Sequence, residues 1–103
     1  MQNDPEMKFV EDLLLDILSG IVVRTPEIEL HYSQETDERG DLTIINVKLA
    51  REDVGAAIGQ KGETAQAIRK LVGVIGFNKT GKRIYVKIDA PRIPKNHFDY
   101  EPA

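Results

Sequence analysis

The sequence predicts an α+β fold with the element order α-β-β-α-α-β, in which three helices cover one face of a three-stranded sheet. Three observations predict this class. Apolar residues recur at helical spacing near the start of the chain. Two segments of alternating residues follow close together. A glycine-bearing turn then separates two helical segments ahead of a last alternating segment. At 103 residues the chain has room for one small domain.

The first helix is predicted from Asp4, which can cap it, and from Pro5, which suits a first helical turn. Gly20 lies near its end, and Pro26 prevents its continuation. Seven apolar residues recur at the i, i+3, i+4 spacing and predict the buried face: Phe9, Val10, Leu13, Leu14, Ile17, Leu18 and Ile21.

Two strands are predicted after this helix. The segment Glu27–Gln34 alternates between apolar and polar residues, and Leu42–Leu49 is rich in isoleucine, valine and threonine. The apolar face of the first strand is predicted to carry Ile28, Leu30 and Tyr32. A short polar turn over residues 37–41 joins the two strands, so we expect an antiparallel hairpin.

The second half of the chain predicts two helices and a third strand. The helices are expected over Arg51–Ile58 and Glu63–Ile75, with a loop over Gly76–Gly81 and a strand over Lys82–Ala90. The inward face of the longer helix is expected to carry Thr64, Ile68, Leu71, Val72 and Ile75. The inward face of the strand is expected to carry Ile84, Val86 and Ile88. A single domain is therefore predicted over residues 1–90, followed by a flexible tail over residues 91–103.

Composition excludes several classes of function. The chain contains no cysteine, which rules out a disulfide framework and a thiolate metal site. No apolar run approaches the roughly 20 residues of a membrane span, and the N-terminus lacks the pattern of a signal peptide. We therefore expect a cytoplasmic protein with no membrane association.

The sequence also argues against an enzyme. Neither His31 nor His97 belongs to a recognisable arrangement of nucleophile and base, and no pair of histidines has the spacing of a metal site. Asp12 and Asp16 lie one helical turn apart on the polar face of the first helix, which is typical of a solvated surface. The sequence thus predicts no catalytic residue, no metal site and no cofactor.

Charge is distributed unevenly along the chain. The net charge is −3, yet residues 1–50 hold 11 acidic and 4 basic residues, whereas residues 51–90 hold 4 acidic and 8 basic residues. The positive half is the half that carries the glycine loop. Such an asymmetry indicates an anionic ligand, although solvated surface residues would give the same count.

The glycine loop reads Gly59-Gln60-Lys61-Gly62 and lies between two predicted helices. Glycine at each end allows a tight turn and a close approach of another backbone. The amides that begin the second helix and the charge of Lys61 suit a phosphate group. A Walker loop is excluded because Lys61 is followed by Gly62 rather than by serine or threonine, and a dinucleotide fingerprint would need glycine at Ala57.

The segment Asp53–Arg69, which reads DVGAAIGQKGETAQAIR, resembles the K-homology (KH) domain, whose signature is an I-G-x-x-G loop between two helices. The element order is similar to the type II, prokaryotic form of that domain. One such unit fills nearly the whole chain, and in this respect the chain resembles the small bacterial KhpA-like RNA-binding proteins. The resemblance covers roughly residues 7–90.

The resemblance implies a non-catalytic protein that holds single-stranded RNA, because the G-x-x-G loop of a KH domain clamps about four nucleotides of backbone. Carried over to this chain, the RNA-binding residues would be Val54, Gly55, Ile58, Gly59, Gln60, Lys61, Gly62, Arg69 and Lys70. The resemblance further implies an RNA chaperone or post-transcriptional regulator linked to cell shape. It also implies pairing as a homodimer or with a larger KH-containing partner.

A departure from the family pattern at Glu63 and the acidic net charge favour an alternative. Relatives often carry a basic residue where Glu63 stands, and here its carboxylate lies beside the proposed phosphate position. The net charge is acidic. The alternative is a KH-fold interaction module that dimerises and binds RNA weakly or not at all. Phe98 and Tyr100 in the tail could stack on bases or dock on a partner, but their surroundings are typical of a flexible tail.

Overall fold

The computed structural model describes residues 5–89. They form three helices and three strands in the predicted order. The elements are α1 (Pro5–Ser19), β1 (Glu29–Asp37), β2 (Gly40–Lys48), α2 (Arg51–Ile58), α3 (Glu63–Thr80) and β3 (Arg83–Ile88). A single 3₁₀ turn over Thr25–Glu27 precedes β1, and another over Gln60–Gly62 joins α2 to α3.

The strands form one mixed sheet in the order β1-β2-β3. β1 and β2 are antiparallel and join through the two-residue turn Glu38–Arg39, so the predicted hairpin is confirmed. β2 and β3 are parallel, with Leu42 opposite Arg83 and Val47 opposite Ile88. Parallel strands need a long crossover connection. Here the crossover consists of α2, the glycine loop and α3, so the loop lies in the middle of the connection that closes the sheet.

The helices cover one face of the sheet, and the predicted α+β class is confirmed. The core contains the inward residues of all three strands and one face of each helix. Its fully buried members with the largest side chains are Leu14, Leu18, Ile45, Val10, Val47, Val72 and Val86. All three residues predicted to point inward from the last strand are buried, and those predicted for the first strand are partly buried against the core.

The buried face of α1 is narrower than the sequence predicted. Met7, Val10, Leu14 and Leu18 are buried, whereas the Phe9 side chain is exposed. The four buried residues follow the i, i+3, i+4 spacing of one stripe. Phe9 lies beside that stripe, and its ring instead contacts the Lys79 ammonium group, 4.8 Å from the ring centroid.

The prediction for α3 was wrong at its C-terminal end. The helix does not end at Ile75 but continues to Thr80, so Gly76–Gly81 is not a loop. Gly76 lies within the helix on the side that faces β3, and a Cβ atom there would lie 2.7 Å from the Ile84 Cδ1 atom, so glycine lets the helix pack closely on that strand. The helix ends where the Gly81 amide, in a left-handed conformation, donates to the Phe77 carbonyl oxygen.

The inward face of α3 also differs from the prediction. Ala65, Ile68, Val72 and Gly76 are buried, whereas Leu71 is exposed. The buried residues recur at steps of three and four and form one stripe, Thr64 and Ile75 are partly buried, and Leu71 lies off the stripe. The outer face therefore carries an apolar side chain that the sequence pattern assigned to the core.

Some predictions concern residues outside 5–89 and are not tested by the structure. They are the capping role of Asp4 and the tail over 91–103 with His97, Phe98 and Tyr100. Across the described residues no helix combines the length and the apolar character that a membrane crossing requires. Over the same range, no three His, Asp or Glu side chains cluster in a way that could hold a metal ion.

Candidate nucleic-acid interface

The glycine loop folds as a single tight turn with a mostly left-handed backbone. The φ angles are 80° at Gly59, 56° at Lys61 and 75° at Gly62. The Gly62 amide donates to the Gly59 carbonyl oxygen at 3.1 Å, which closes the turn. Within residues 5–89, Lys61 is the sole non-glycine residue with a positive φ. Such a conformation costs a lysine about 1–2 kcal/mol, and strain of this kind clusters at functional sites.

The two glycines are required for different reasons. A Cβ atom at Gly59 would lie 2.7 Å from the Thr64 Cβ atom and 2.9 Å from the Thr64 amide nitrogen, so space and backbone conformation both demand glycine. A Cβ atom at Gly62 would meet no atom within 4 Å, so conformation alone favours glycine there. Gly59 therefore allows the loop to pack against α3, and Gly62 allows the backbone to turn into the first residue of α3.

The loop presents hydrogen-bond donors and positive charge to solvent. No side chain caps the start of α3, whose Ncap residue is Gly62, so the first-turn amides lack a side-chain acceptor within the described chain. The side chains of Gln60 and Lys61 are exposed at the tip. Glu63, also exposed, is the first residue of α3 and opposes the positive field. Donors and a cation at a helix start suit a phosphate group.

A buried carboxylate holds α2, which carries the loop, against the rest of the domain. Asp53 is 4% exposed and accepts hydrogen bonds from the backbone amides of Val23 (3.0 Å) and Arg24 (2.9 Å). These two amides hold the pKa of Asp53 below its usual range because they stabilise the ionised form. The carboxylate thus fixes the start of α2 to the segment that follows α1.

The three residues of α2 that the sequence assigned to the groove lie in different surroundings. Val54 is buried in the core, Ile58 is partly buried and packs against the core, and Gly55 is exposed. Gly55 has no atom within 4 Å of where a Cβ would lie, so the helix surface there is open. An open glycine surface next to the loop lets another chain approach the helix backbone.

Arg69 and Lys70 lie one to two turns into α3, away from the tip of the loop. Lys70 is exposed. Arg69 is partly buried, and its Nε atom donates to the Val86 carbonyl oxygen at 2.9 Å. Its guanidinium carbon lies 5.2 Å from the centroid of the Tyr85 ring. Arg69 therefore reaches across the outer edge of β3, so the structure separates it from the four loop residues, which lie together.

Two residues at this site, Asp53 and Tyr85, were not predicted from the sequence. Asp53 looked like an ordinary acidic residue in the first turn of a helix, because its partners are backbone amides 29 and 30 residues earlier in the chain. Tyr85 looked like one outward residue of a strand. Alternation predicted its outward direction, but only the packing of α3 on β3 brings it to Arg69.

Comparison with known proteins gives consistent matches. The family model for the KH domain of KhpA and KhpB matches residues 11–88. The "RNA-binding protein KhpA" of Listeria monocytogenes is 37% identical over 81 residues, which cover 77% of this chain and 97% of that protein. The protein of the same name from Clostridium acetobutylicum is 35% identical over 75 residues, covering 73% of this chain and 95% of that protein. The corresponding Borreliella burgdorferi protein is 30% identical over 77 residues, covering 75% and 88%.

Proposed function

The chain belongs to the KhpA/KhpB KH-domain family, and on that premise we propose that it is a non-catalytic cytoplasmic protein that holds single-stranded RNA at the loop Gly59–Gly62. The relatives it matches are named as RNA-binding proteins. In a KH domain this loop clamps the backbone of about four nucleotides. Contact with the backbone supplies affinity and position without reading the base sequence.

The observation that carries the proposal is the backbone conformation of Lys61. A lysine in the left-handed region is strained, and the surrounding turn holds it there with its side chain exposed. The same turn leaves the start of α3 without a side-chain cap. A cation and a helix start without a side-chain acceptor thus lie in one short segment, and a phosphate group would complement both.

The test replaces the loop tip with acidic residues. The double variant Gln60→Asp with Lys61→Asp should weaken binding of short single-stranded RNA by at least about tenfold, because charged hydrogen bonds to phosphate are lost and repulsion replaces them. The free energy of unfolding should change by about 0.5 kcal/mol or less, since both side chains are exposed. Titration of labelled RNA and urea unfolding measure the two quantities.

A matched control comes from the other end of α3. Asn78→Asp with Lys79→Asp makes the same change of side-chain type and charge on two exposed residues of the last helical turn. RNA affinity should fall far less in this control, because only the overall charge changes. Equal losses in the two double variants would mean that net charge alone governs binding, and unchanged affinity in the loop variant would reject the loop as the site.

We propose, as part of the same function, an RNA chaperone activity with little sequence preference. A site that holds single-stranded RNA stabilises the unpaired strand relative to the duplex and so speeds the exchange of strands. A strand-exchange assay with two competing complementary RNAs should show faster exchange with the parent protein than with the loop variant. Equal rates for the two proteins would reject the chaperone activity but not the proposed binding of RNA.

A second candidate function, association with another copy of the chain, rests on the outer face of α3. Leu71, Val74 and Phe77 are each more than half exposed and recur at the i, i+3 spacing of one helix face. An apolar stripe of this kind on a small domain marks an interaction site. We propose that a second copy of the chain covers it, in keeping with the pairing that the family resemblance implies.

Sedimentation at tens of micromolar measures the association. Leu71→Glu should shift the parent dimer to monomer, whereas Gln66→Glu, on an exposed residue of the same helix, should leave it unchanged. A parent that sediments as a monomer but is captured by a larger KH-containing protein would identify that protein, and not a second copy, as the occupant.

A further inference from the structure

The two edges of the sheet differ in what bonds to them. At the β3 edge the Arg69 Nε atom donates to the Val86 carbonyl oxygen, and α3 packs alongside the strand. β1 forms the other edge, because the strand order is β1-β2-β3. Within residues 5–89, the hydrogen bonds to the β1 backbone come from β2 alone. The outer side of β1 is therefore unpaired in the described chain.

The pairing of β2 shows which backbone groups of β1 are free. The Val47 carbonyl oxygen accepts from the Asp89 amide, which directly follows β3, so Val47 directs its backbone groups toward that strand. Val47 lies opposite Leu30. In an antiparallel pair, residues that bond to their opposite number alternate with residues that do not. Four residues of β1 therefore direct their N–H and C=O groups to the free edge: Leu30, Tyr32, Gln34 and Thr36.

The sequence of β1 lacks three features that commonly protect an edge strand from pairing. Its nine residues, ELHYSQETD, include no proline and no lysine or arginine. Their register with β2 is continuous from Glu29 to Asp37, so no bulge turns the edge away. An edge of this length can accept an added strand through main-chain hydrogen bonds.

Carboxylates lie on both faces of β1. Tyr32 packs against the core, so the odd-numbered residues Glu29 and Glu35 lie on the open face of the sheet. On the helix face the Tyr32 hydroxyl donates to a Glu11 carboxylate oxygen at 3.0 Å. Burial, this hydrogen bond and the charges of Glu11 and Asp12 raise the pKa of Tyr32, so both carboxylates lie close to the strand. An added strand would meet negative charge on either face.

This charge selects among the possible occupants of the edge. A second copy of the chain that paired through its own β1 would place carboxylates against carboxylates, and like charges on adjacent strands destabilise a sheet. The same charge repels an RNA backbone. A segment with lysine or arginine side chains would instead form ion pairs with the carboxylates on whichever face it presents them.

We propose that the free edge of β1 binds an extended basic segment of a partner protein, which adds a fourth strand to the sheet. Main-chain hydrogen bonds to the four outward residues supply affinity, and the carboxylates select basic side chains. The glycine loop takes no part, so the proposal does not depend on RNA binding.

The probe that tests this is a synthetic nine-residue peptide of alternating lysine and threonine, matched to the length of β1. Hydrogen exchange followed by NMR on the full chain measures where it binds. The amides of Leu30, Tyr32, Gln34 and Thr36 should become protected. Those of the intervening residues already bond to β2 and should change little. The same peptide with glutamate in place of lysine should give no protection.

Gln34→Pro tests the main-chain contact, because proline removes an outward N–H group and leaves the hydrogen bonds to β2 in place. Gln34→Ala is the matched control, since it also loses the side-chain hydrogen bond to Thr43 but keeps the amide. The proline variant should bind the lysine peptide about fivefold more weakly than the alanine variant, which corresponds to one lost hydrogen bond. Urea unfolding checks that both variants remain folded.

A second pair of variants tests the charge. Glu35→Gln neutralises an exposed carboxylate on β1, and Glu63→Gln neutralises another exposed carboxylate at the start of α3. The first should weaken binding of the lysine peptide about two- to threefold at low salt, and the second should leave it unchanged. Equal effects of the two variants would mean that net charge alone attracts the peptide, which overturns the proposal.

The exchange pattern decides between a strand and other modes of contact. The proposal is overturned if the lysine peptide gives no protection, if the glutamate peptide protects the same amides, or if protection does not alternate along β1. Equal affinities of the Gln34→Pro and Gln34→Ala variants would also overturn it. Protection of the four outward amides in the parent without peptide would show a second copy of the chain at this edge, in place of a basic partner.

Discussion

The two ends of α3 differ in whether side chains form hydrogen bonds with the terminal backbone groups of the helix. At the C-terminal end the Thr80 hydroxyl donates to the Gly76 carbonyl oxygen (2.8 Å) and accepts from the Lys82 amide (3.0 Å), and Gly81 donates to Phe77. At the N-terminal end no side chain of the described residues caps the helix.

The strain is also unequal between the two ends. The C-terminal end takes its left-handed residue at a glycine, which adopts it without cost, whereas the N-terminal end places a lysine in that conformation. One end is therefore built for stability alone. The other end has no side-chain cap and holds the Lys61 backbone in a strained conformation, which is the pattern expected where a ligand completes the structure.

The largest effect is expected from breaking the N-terminal end at Gly59. Gly59→Ala adds a methyl group that clashes with Thr64 and forces alanine into a left-handed conformation. We expect a loss of about 2–4 kcal/mol in the free energy of unfolding, together with loss of RNA binding. Urea unfolding measures the first effect and RNA titration the second.

Gly62→Ala is the control for this prediction, since a methyl group there meets no neighbouring atom. It should cost only the conformational strain, about 1 kcal/mol. If the two alanine variants were equally stable, contact with Thr64 would not be what holds the loop against α3.

A second prediction compares two carboxylates, Asp53 in the first turn of α2 and Asp37 at the end of β1. Backbone amides hold the pKa of Asp53 low, and the Arg39 amide and then the Arg83 side chain do the same for Asp37. A carboxyl group with a lowered pKa in the folded state stabilises the fold above its unfolded pKa of about 3.9. That contribution is lost as the pH falls through the lower, folded pKa.

Asp53→Asn should therefore lower the melting temperature by several degrees at pH 7, and the difference from the parent should shrink at pH 3. Asp37→Asn should show the same trend with a smaller amplitude, because Asp37 is solvent-exposed and its ion pair with Arg83 is screened. Melting curves at the two pH values test both variants. A difference that stayed constant with pH would show that ionisation of Asp53 is irrelevant to its role.

A third prediction breaks the C-terminal end without touching the loop. Thr80→Val keeps the shape of the side chain and removes both hydroxyl hydrogen bonds. We expect a loss of about 1–2 kcal/mol in unfolding free energy and unchanged RNA affinity. A change in affinity would mean that the two ends of α3 are coupled, contrary to the division of roles described above.

The smallest expected effect concerns Glu63, the acidic residue at the open end. Glu63→Arg should tighten RNA binding, and the slope of log affinity against log salt should steepen by about one unit or less, as one further phosphate is neutralised. Helix stability should fall by about 0.3–1 kcal/mol because a cation replaces an acid at a helix start. Titrations of parent and variant at low and moderate salt measure the change. Weaker binding by a folded variant would mean that the RNA phosphate does not bind at this loop.

The elements that were predicted well are those whose pattern is local. Arg51–Ile58 was placed with both ends correct, and the inward face of β3 follows from simple alternation. The loop itself was located from its glycines. Gly59 and Gly62 stand at the two ends of the loop, and a pair of glycines between helical segments indicates where the backbone turns.

The parts that were missed depend on contacts between distant segments. Gly76 and Gly81 resemble the two ends of a loop, and helix propensity alone would end α3 before them. Packing of Gly76 against Ile84 overrides that propensity. Likewise, Asp53 and Tyr85 gain their roles from neighbours that are remote in sequence, Val23 and Arg69, which no periodic pattern encodes.

The parallel pairing of β2 and β3 has a consequence for the order in which the parts of the molecule fold. The hairpin needs only residues 29–48, but α3 packs against β3, which ends at residue 88. Long-range parallel pairing forms slowly because a large loop must close first. A refolding chain therefore forms its hairpin before the glycine loop has the support of α3 packed on β3. We expect the proposed RNA affinity to return at the slower rate of β2–β3 pairing, and RNA binding followed during refolding from urea measures that rate.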